Sequence, residues 1–380
     1  MTSGLYIQVP FCQTKCTYCN FHTGVFSSQL YEPYARAVCR EIEMRGREPW
    51  GAFDTVYFGG GTPSLLAPEN LSRIFSALKA NFQCDIEEAT LEADPETITR
   101  EKAEAWIAGG FNRVSLGAQS FNDAELKAAG RMHRRADISA AVEALRAAGF
   151  RNLTLDLIAG LPHQTAESWR DSVASLLQLE PQHISIYMME IDEGSRLGRE
   201  AIAGGARYSA GELPSDDAMA DFYERGCEWL ADAGFEHYEI SNWAQPGLQS
   251  RHNLKYWRRE PYLGLGAGAH SFDGRRRWAN AHEPAGYVAS IERGELPTEQ
   301  EQVVTDKQAL EEEIFLGLRQ LSGIDLGRLT GGLDAGLLTR IEEMRVDGLV
   351  IVEGDRMRLA PERLAVSNEV LVGLMEAAGA

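Results

Sequence analysis

Several features common in other classes of protein are missing from this sequence. Basic residues are in the minority, since 37 Lys and Arg stand against 56 Asp and Glu, and the formal net charge is −19. Such a surface repels phosphate backbones, so we expect no nucleic-acid partner. No apolar run approaches the roughly 20 residues that a membrane helix needs. Residues 1–5 contain neither a basic nor a long apolar segment, which predicts no secretory signal and a cytoplasmic protein.

Cysteine is also scarce, and it is unevenly distributed. Of the six cysteines, Cys12, Cys16 and Cys19 lie within eight residues, while the other three are scattered. In a reducing compartment such a group indicates a metal site rather than disulfides. The spacing C-x3-C-x2-C lets three thiolates ligate three irons of a cubane, which leaves the fourth iron open. A Cys3His zinc site that includes His22, or a set of unligated thiols, stays an alternative.

The first 190 residues alternate short β-like runs with helical stretches. The predicted strands are Leu5–Val9, Thr55–Phe58, Ala89–Glu92, Arg113–Leu116, Leu153–Ile158 and Ile184–Met188. Six β-then-α units in a row predict a parallel sheet with right-handed crossovers. Because a closed barrel normally needs eight units, we expect an α/β fold: an incomplete (β/α)6 TIM-like barrel that is open on one side.

The remainder of the chain has a different pattern. Glu236–Trp243 predicts one further strand, and the polar, acidic stretch Gly294–Thr305 predicts a linker. The tail from about Asp306 has the element order of a small winged-helix-like α+β module. We therefore expect three parts: a partial barrel over 1–235, a connecting segment over 236–300 and a C-terminal domain over 301–380.

Polar residues gather where the predicted strands end. A glycine-rich turn, Gly59–Ser64, follows the second strand, and Glu92 and Gln119 end the third and fourth. Asp156 lies inside an otherwise apolar strand, where a carboxylate is costly unless it is paired or faces a ligand. Arg131 offers a planar fork that suits a carboxylate. Because ligand sites of barrels collect at this rim, we expect these side chains to surround a ligand.

The cysteine motif after the first strand resembles the signature of the radical S-adenosylmethionine (SAM) superfamily. In that superfamily the open iron of a 4Fe-4S cluster chelates SAM, and one electron from the reduced cluster cleaves the sulfonium. The resemblance implies that Cys12, Cys16 and Cys19 ligate the cluster and that an electron donor is a partner. The residues that match SAM-contacting positions are Tyr6, Tyr18, Gly60, Gly61, Thr62, Glu92, Gln119, Arg131 and Asp156.

The order of five short motifs narrows the resemblance to one branch. VPFC at 9–12, GGGTPS at 59–64, LGAQSF at 116–121, GRMH at 130–133 and DLIAGLP at 156–162 resemble oxygen-independent coproporphyrinogen III oxidases and their relatives. That oxidase carries a further cysteine two residues after the third, where this chain has Phe21. The substitution resembles HemW-type heme chaperones. Radical decarboxylation of propionates to protoporphyrinogen IX stays the alternative, with a radical SAM methyltransferase more distant, so enzymatic activity is an open question.

A second motif agrees with the chaperone branch. Residues 252–257, HNLKYW, match the HNxxYW sequence associated with heme binding there. A neutral imidazole can ligate heme iron, and aromatic rings offer flat apolar surface. The resemblance implies heme contacts from His252, Asn253, Tyr256 and Trp257, with His270 a weaker candidate. Alternatively, His252 only hydrogen-bonds in a loop and the aromatic residues belong to the core.

The same resemblance implies partners beyond the cofactors. Heme itself and heme-accepting proteins are the implied partners, although the sequence does not identify the acceptors. We expect a monomer or a homodimer, with peripheral membrane association as a further expectation during heme delivery.

Overall fold

The computed structural model describes residues 2–379, and it begins with six parallel strands. These strands are β1 (Ser3–Val9), β2 (Phe53–Gly60), β3 (Cys84–Ala93), β4 (Arg113–Gln119), β5 (Asn152–Ala159) and β6 (His183–Met188). They lie side by side in chain order, and each neighbouring pair is parallel. The helices between them are α1 (Tyr31–Arg45), α2 (Pro68–Asn81), α3 (Arg100–Gly109), α4 (Asp123–Ala128), α5 (Arg135–Ala148) and α6 (Ala166–Gln178). The predicted series of β/α units is confirmed.

The two faces of these strands differ in chemistry because successive side chains point to opposite sides. Apolar side chains such as Leu5, Ile7 and Val9 are fully buried and pack in one core with the helices. The opposite face carries polar side chains, among them Thr90 and Arg113, which hydrogen-bond to each other. The strands therefore enclose a polar lumen beneath the rim at which they end.

Further elements extend the sheet at both edges. After α7 (Arg196–Ile202) and α8 (Asp216–Asp232), the hairpin of β7 (Glu236–Glu239) and β8 (Asn242–Ala244) joins β6 in antiparallel fashion. After α9 (Arg251–Trp257), β9 (Tyr262–Leu265) lies parallel to β1, and β10 (His270–Phe272) and β11 (Arg276–Asn280) continue beside it. Then follow α10 (Pro284–Glu292) and β12 (Thr298–Val303). The sheet ends at β12 and β7, so the barrel is open, as predicted.

Two predictions of local structure were wrong. The single strand over Glu236–Trp243 is a hairpin whose strands pair with each other. The linker over Gly294–Thr305 contains β12, which pairs with β11 and has mostly exposed side chains. An edge strand of polar residues lacks the apolar alternation that marks a strand, which is why it was missed. The division of the chain into three parts stays a prediction.

The tail forms a small α+β module. It contains α11 (Asp306–Gly317), β13 (Ile324–Asp325), α12 (Ala335–Val346), β14 (Val350–Glu353), β15 (Arg356–Leu359) and α13 (Ser367–Gly379). Its three strands form an antiparallel sheet, in the winged-helix-like order that the sequence predicts. Backbone hydrogen bonds from Ile240 N–H to Arg319 O (3.0 Å) and from Leu321 N–H to Tyr238 O (3.1 Å) cover the β7 edge. Within the described part of the chain, no helix combines the length and apolarity that crossing a membrane requires.

A buried carboxylate ties the added strands to the barrel. Glu41 of α1 is fully buried and accepts hydrogen bonds from Gly266 N–H (2.9 Å), Asn280 Nδ2 (2.8 Å) and Tyr287 OH (2.7 Å). Arg45, also buried, supplies the positive charge at 3.2 Å. Since these partners belong to the segment after β9, to β11 and to α10, one side chain fixes the position of the whole added edge.

Replacing this carboxylate should destabilise the fold strongly. Glu41→Ala leaves Arg45 with only the partly exposed Glu48 as an anionic partner and deprives three buried donors of their acceptor, so we expect a loss of about 3–5 kcal/mol in unfolding free energy. Urea unfolding followed by tryptophan fluorescence measures the change. Glu43→Ala on the same helix removes an exposed pair with Arg40 and should have much less effect. Equal stability of the two variants would contradict the assigned role of Glu41.

Candidate functional site

The three clustered cysteines lie on the loop that follows β1. The loop closes on itself, since Cys12 N–H donates to Gly24 O (2.9 Å) and Gly24 N–H donates to Pro10 O (3.0 Å). Cys12, Cys16 and Cys19 are all partly exposed, and all three line the same cavity. Local backbone closure thus presents the three thiols on one side of the loop.

Neighbouring elements hold the outer side of this loop. Thr17 N–H donates to Ala129 O at 3.0 Å, and Thr17 O accepts from Leu197 N–H at 2.8 Å. These contacts come from the end of α4 and from α7. The side chain of Thr17 adds a hydrogen bond to Ala128 O (3.3 Å), so backbone and side-chain bonds together fix the cysteine loop.

The thiols suit a cluster better than a single ion. Burial raises the pKa of Cys12 to about 11, so this thiol stays protonated at neutral pH unless it binds a cation. Across residues 2–379, no three His, Cys, Asp or Glu side chains meet closely enough to hold one ion. The Cys3His zinc alternative with His22 therefore does not fit this structure. A cubane presents separate irons, so its thiolates need not converge on one point.

The glycine-rich turn after β2 packs directly against the cysteine loop. Gly61 N–H donates to Val9 O (2.8 Å) and Thr62 N–H donates to Phe11 O (2.7 Å). A Cβ on Gly61 would lie 2.5 Å from the Phe11 carbonyl oxygen, which is closer than any side chain tolerates. Gly60 has φ of +112°, in the region that favours glycine. The sequence therefore needs glycine here for the close approach of two loops.

Two partly buried carboxyl groups face the cavity. Glu92 accepts hydrogen bonds from Tyr57 OH (2.7 Å) and Gly60 N–H (3.0 Å), and burial raises its pKa to about 7. Asp156 lies near Ser115, whose hydroxyl donates at 3.4 Å, and burial raises the pKa of Asp156 to about 6. Both groups therefore change charge close to neutral pH, which is typical of side chains that face a ligand.

A guanidinium links the glycine turn to the cysteine loop. Arg131 forms an ion pair with Asp94, donates to Gly117 O (3.0 Å) and lies 3.5 Å from Cys16 Sγ. Asp94 in turn accepts from Thr62 Oγ1 at 2.9 Å. The sequence analysis missed Asp94 as a site residue. Its position two residues after Glu92 was the available signal, because both then lie on one side of the strand end.

Gln119 ends β4 in an unusual backbone conformation. Its φ is +65°, in the left-handed region that a residue with a side chain rarely adopts. A Cβ on Gly117 would lie 2.8 Å from Gln119 Nε2, so that glycine leaves room for the amide. Such strain is common at ligand sites, where it aims a side chain.

These groups surround one cavity at the carboxyl rim of the strands. Its volume is about 430 Å³, within the range of small-molecule sites. The predicted residues that line it are Cys12, Cys16, Tyr18, Cys19, Gly60, Gly61, Thr62, Glu92, Gln119, Arg131 and Asp156. One wall is apolar and was not predicted; it consists of Ile158, Tyr187, Met188 and Met189. Three of these residues lie at or just past the end of β6, where the sequence shows only a strand.

The lumen beneath this cavity holds an unusual charge. Arg113 is 1% exposed and donates to the hydroxyls of Thr90 (3.2 Å) and Thr154 (2.5 Å). Among the described residues, no carboxylate forms a salt bridge or hydrogen bond with it. Burial, and then the Arg113 charge, hold the pKa of His183 well below its usual range. Arg113 is therefore the cation that dominates the lower lumen.

Tyr6 lies deeper than the other predicted SAM-contacting residues. Its hydroxyl donates to Gln8 Oε1 at 2.8 Å, and its ring stacks on Tyr57 at 6.1 Å between ring centroids. It also stacks on His252 at 6.4 Å. The structure thus places Tyr6 between the cavity and the helix that carries His252, and not on the cavity wall.

That helix, α9, closes the amino-terminal end of the lumen. His252 is 1% exposed, and its two ring nitrogens lie 2.9 Å from Thr55 Oγ1 and 2.9 Å from Tyr256 OH. Glu88 accepts from His252 N–H at 3.0 Å, which caps the start of the helix. Burial lowers the pKa of His252 to about 3, so the ring is neutral. Both nitrogens are already engaged, and the residue lies at the opposite end from the cysteines.

The other two residues of this motif have structural neighbours as well. Asn253 N–H donates to the capping hydroxyl of Ser250 at 3.3 Å. The guanidinium of Arg319, which lies between α11 and β13 of the C-terminal module, is 5.1 Å from the Trp257 ring. The structure therefore does not bring the HNxxYW residues to the cavity. Their contact with heme stays a prediction.

Several known proteins are similar in sequence to this chain. The family model described as the radical SAM superfamily matches residues 6–176. A heme chaperone HemW from Bacillus subtilis is 32% identical over 96% of this chain and 97% of its own length. One from Lactococcus lactis is 36% identical over 85% of this chain and 83% of its own length.

A solved structure also resembles the chain. The coproporphyrinogen III oxidase HemN from Escherichia coli, described as a radical SAM enzyme, matches with a TM-score of 0.83 and 24% identity. It covers 98% of this chain and 90% of its own. At that identity the likeness shows a common fold. Together with the full-length relatives, these findings show that the chain belongs to the HemW family of radical SAM proteins, which implies a 4Fe-4S cluster and SAM as its cofactors.

Proposed function

We propose that this chain is a heme chaperone, which binds heme and hands it to heme-requiring proteins while carrying a cluster and SAM at its rim. The observation that carries this proposal is the match to proteins named heme chaperone HemW over nearly the whole chain. Phe21 supports it, since this position holds cysteine in the oxidase that the sequence otherwise resembles. Heme-accepting proteins and an electron donor for the cluster are its proposed partners.

Cys12, Cys16 and Cys19 are the proposed cluster ligands. They are three thiols on one loop that face one cavity, and the partly buried thiol of Cys12 needs a cation to ionise at neutral pH. When bound and reduced, the cluster supplies the electron that SAM cleavage requires. The chain itself keeps the thiols partly shielded from water and fixes their loop by backbone bonds.

The groups around the cavity complement SAM, which has a cationic sulfonium, an amino group, a carboxylate and ribose hydroxyls. Glu92 and Asp156 are proposed acceptors for the amino group and the hydroxyls. Arg131 is a proposed partner for the carboxylate, and its buried Nε has no hydrogen-bond partner within the described structure. The glycine turn offers backbone groups, and Gln119 and Tyr18 complete the proposed set. Tyr6 acts from below by positioning Tyr57, which holds Glu92.

Asp94→Asn should weaken SAM binding. Asparagine has nearly the same size and shape as aspartate, so the lining of the cavity is otherwise kept. Loss of the carboxylate charge frees Arg131 from its place beside Cys16, and we expect about a tenfold lower affinity, equivalent to ~1.4 kcal/mol. Calorimetric SAM titration of the reconstituted protein measures this. Asp85→Asn, on the exposed start of the same strand, is the matched control and should bind as the wild type does. Identical affinity of both variants would exclude a positioning role for Asp94.

SAM affinity should rise with pH across the neutral range. Burial raises the pKa of Glu92 to about 7, so this carboxyl is mostly neutral at about pH 6 and ionised at about pH 8. A cationic ligand favours the ionised form, and we expect about tenfold tighter binding at the higher pH. Glu92→Gln cannot ionise and should bind weakly with a flatter profile. A flat profile in the wild type would show that this carboxyl does not face the cation.

The oxidase alternative is tested directly by turnover. Reconstituted protein is incubated anaerobically with SAM, reductant and coproporphyrinogen III, and porphyrin products are separated by chromatography. We expect no protoporphyrinogen above that formed by a Cys12→Ala/Cys16→Ala/Cys19→Ala variant. In parallel, hemin titration of the wild type should give a saturable Soret band. Turnover without hemin binding would overturn the chaperone assignment.

A further inference from the structure

Three of the eight histidines converge on the rim beside the cysteine loop. The His22 ring lies 4.4 Å from the His282 ring between centroids, and the His270 ring lies 6.5 Å from that of His282. His22 follows Cys19 by three residues. β9 and β11 run in the same direction as β1, so His270 and His282 lie at the same end as the cysteines. We call these three residues the histidine rim.

The imidazoles of the histidine rim are accessible. His22 and His270 are exposed and His282 is partly exposed, in contrast to the buried His252. The pKa of His270 is lowered, first by partial desolvation of the ring and then by the charges of His282, Arg277 and His22. A neutral imidazole is the form that ligates iron. The Nδ1 atom of His282 is buried and has no hydrogen-bond partner within the described residues.

Apolar surface adjoins the histidine rim. Phe21 is 66% exposed and lines the cavity, and Val25, on the same loop, is 62% exposed. Exposed apolar side chains that lie together beside a cavity offer a surface for an apolar ligand. A porphyrin is a flat apolar ligand with a metal at its centre, and it matches imidazoles that stand beside such side chains.

We propose that the histidine rim, with Phe21 and Val25, is where this chain takes up heme, and that an imidazole of the rim ligates the iron. The ligand identity rests on the proposed function, whereas the location does not. The porphyrin supplies four ligands to its iron, so one or two imidazoles suffice. The spacing of the histidine rim agrees with one or two ligands. Among residues 2–379, no three His, Cys, Asp or Glu side chains lie close enough together to hold a bare ion. Heme bound here lies next to the cysteine loop. Helix α9, which carries the HNxxYW motif, then only closes the amino-terminal end of the lumen.

The experiment compares hemin binding by full-length reconstituted variants. His22→Ala/His270→Ala/His282→Ala should lower hemin affinity at least about tenfold and shift the Soret band, because an iron ligand is lost. His163→Ala, an exposed histidine paired with Glu212, is the matched control and should bind as the wild type does. Because His22 is close to a cluster ligand, iron and sulfide are counted in each variant. The double variant His270→Ala/His282→Ala leaves the cysteine loop unchanged and should weaken hemin binding in the same direction.

Metal-free protoporphyrin IX separates ligation from simple apolar contact. The wild type should prefer hemin over protoporphyrin IX, and the triple variant should bind the two equally. If the wild type does not bind hemin, the proposed function itself fails. If the wild type and the triple variant bind hemin equally, only the location fails. Loss of binding in His252→Ala with retention in the triple variant would assign heme to the HNxxYW helix and overturn the histidine rim.

Discussion

The close approach of Phe11 to Gly61 is the constraint on which the site depends. Their contact leaves no space for a Cβ, and it joins the strand end that precedes Cys12 to the turn that carries Gly60 and Thr62. Thr62 then reaches Asp94, and Asp94 holds Arg131 beside Cys16. A chain of contacts therefore runs from this backbone contact through Thr62, Asp94 and Arg131 back to the cysteine loop. Hydrogen bonds to charged groups are stronger in a shielded site than in water, so these contacts favour this arrangement of Thr62, Asp94 and Arg131.

The second requirement is that the polar lumen below this site is closed, although the barrel itself is open on one side. A lumen lined by threonines, Arg113 and two carboxyl groups must keep its hydrogen bonds while excluding bulk water. Helix α9 closes its lower end, with His252 between Thr55 and Tyr256. The added strands β9–β12 cover the β1 edge, and Glu41 fixes them there. The HNxxYW sequence thus has a structural explanation that does not involve a ligand.

Local sequence patterns were sufficient for the six β/α units and for the polar residues where their strands end, whereas the hairpin β7–β8 and the edge strand β12 were missed. The six strands are short apolar runs, and the polar residues at their ends meet because parallel strands end at one edge. The remaining features depend on contacts between distant parts of the chain. Asp94 matters through Arg131, 37 residues away, and the histidine rim joins positions 22, 270 and 282. The motif at 252–257 was assigned to heme from resemblance alone, and the motif itself does not show that the His252 ring is buried between Thr55 and Tyr256.

The position of the histidine rim bears on how a chaperone could release its cargo. His22 shares a loop with Cys12, Cys16 and Cys19, so whatever orders that loop also orders one wall of the proposed heme site. Linkage is reciprocal. A cluster or a SAM molecule that orders the loop changes the affinity for heme by some factor, and bound heme changes the affinity for the cluster or SAM by the same factor. A heme bound beneath α9 would lack this connection, since Tyr6 and Tyr57 lie between that helix and the cavity. When the cluster and the heme contact the same loop, the chain has a physical route by which the state of the cluster changes the affinity for heme.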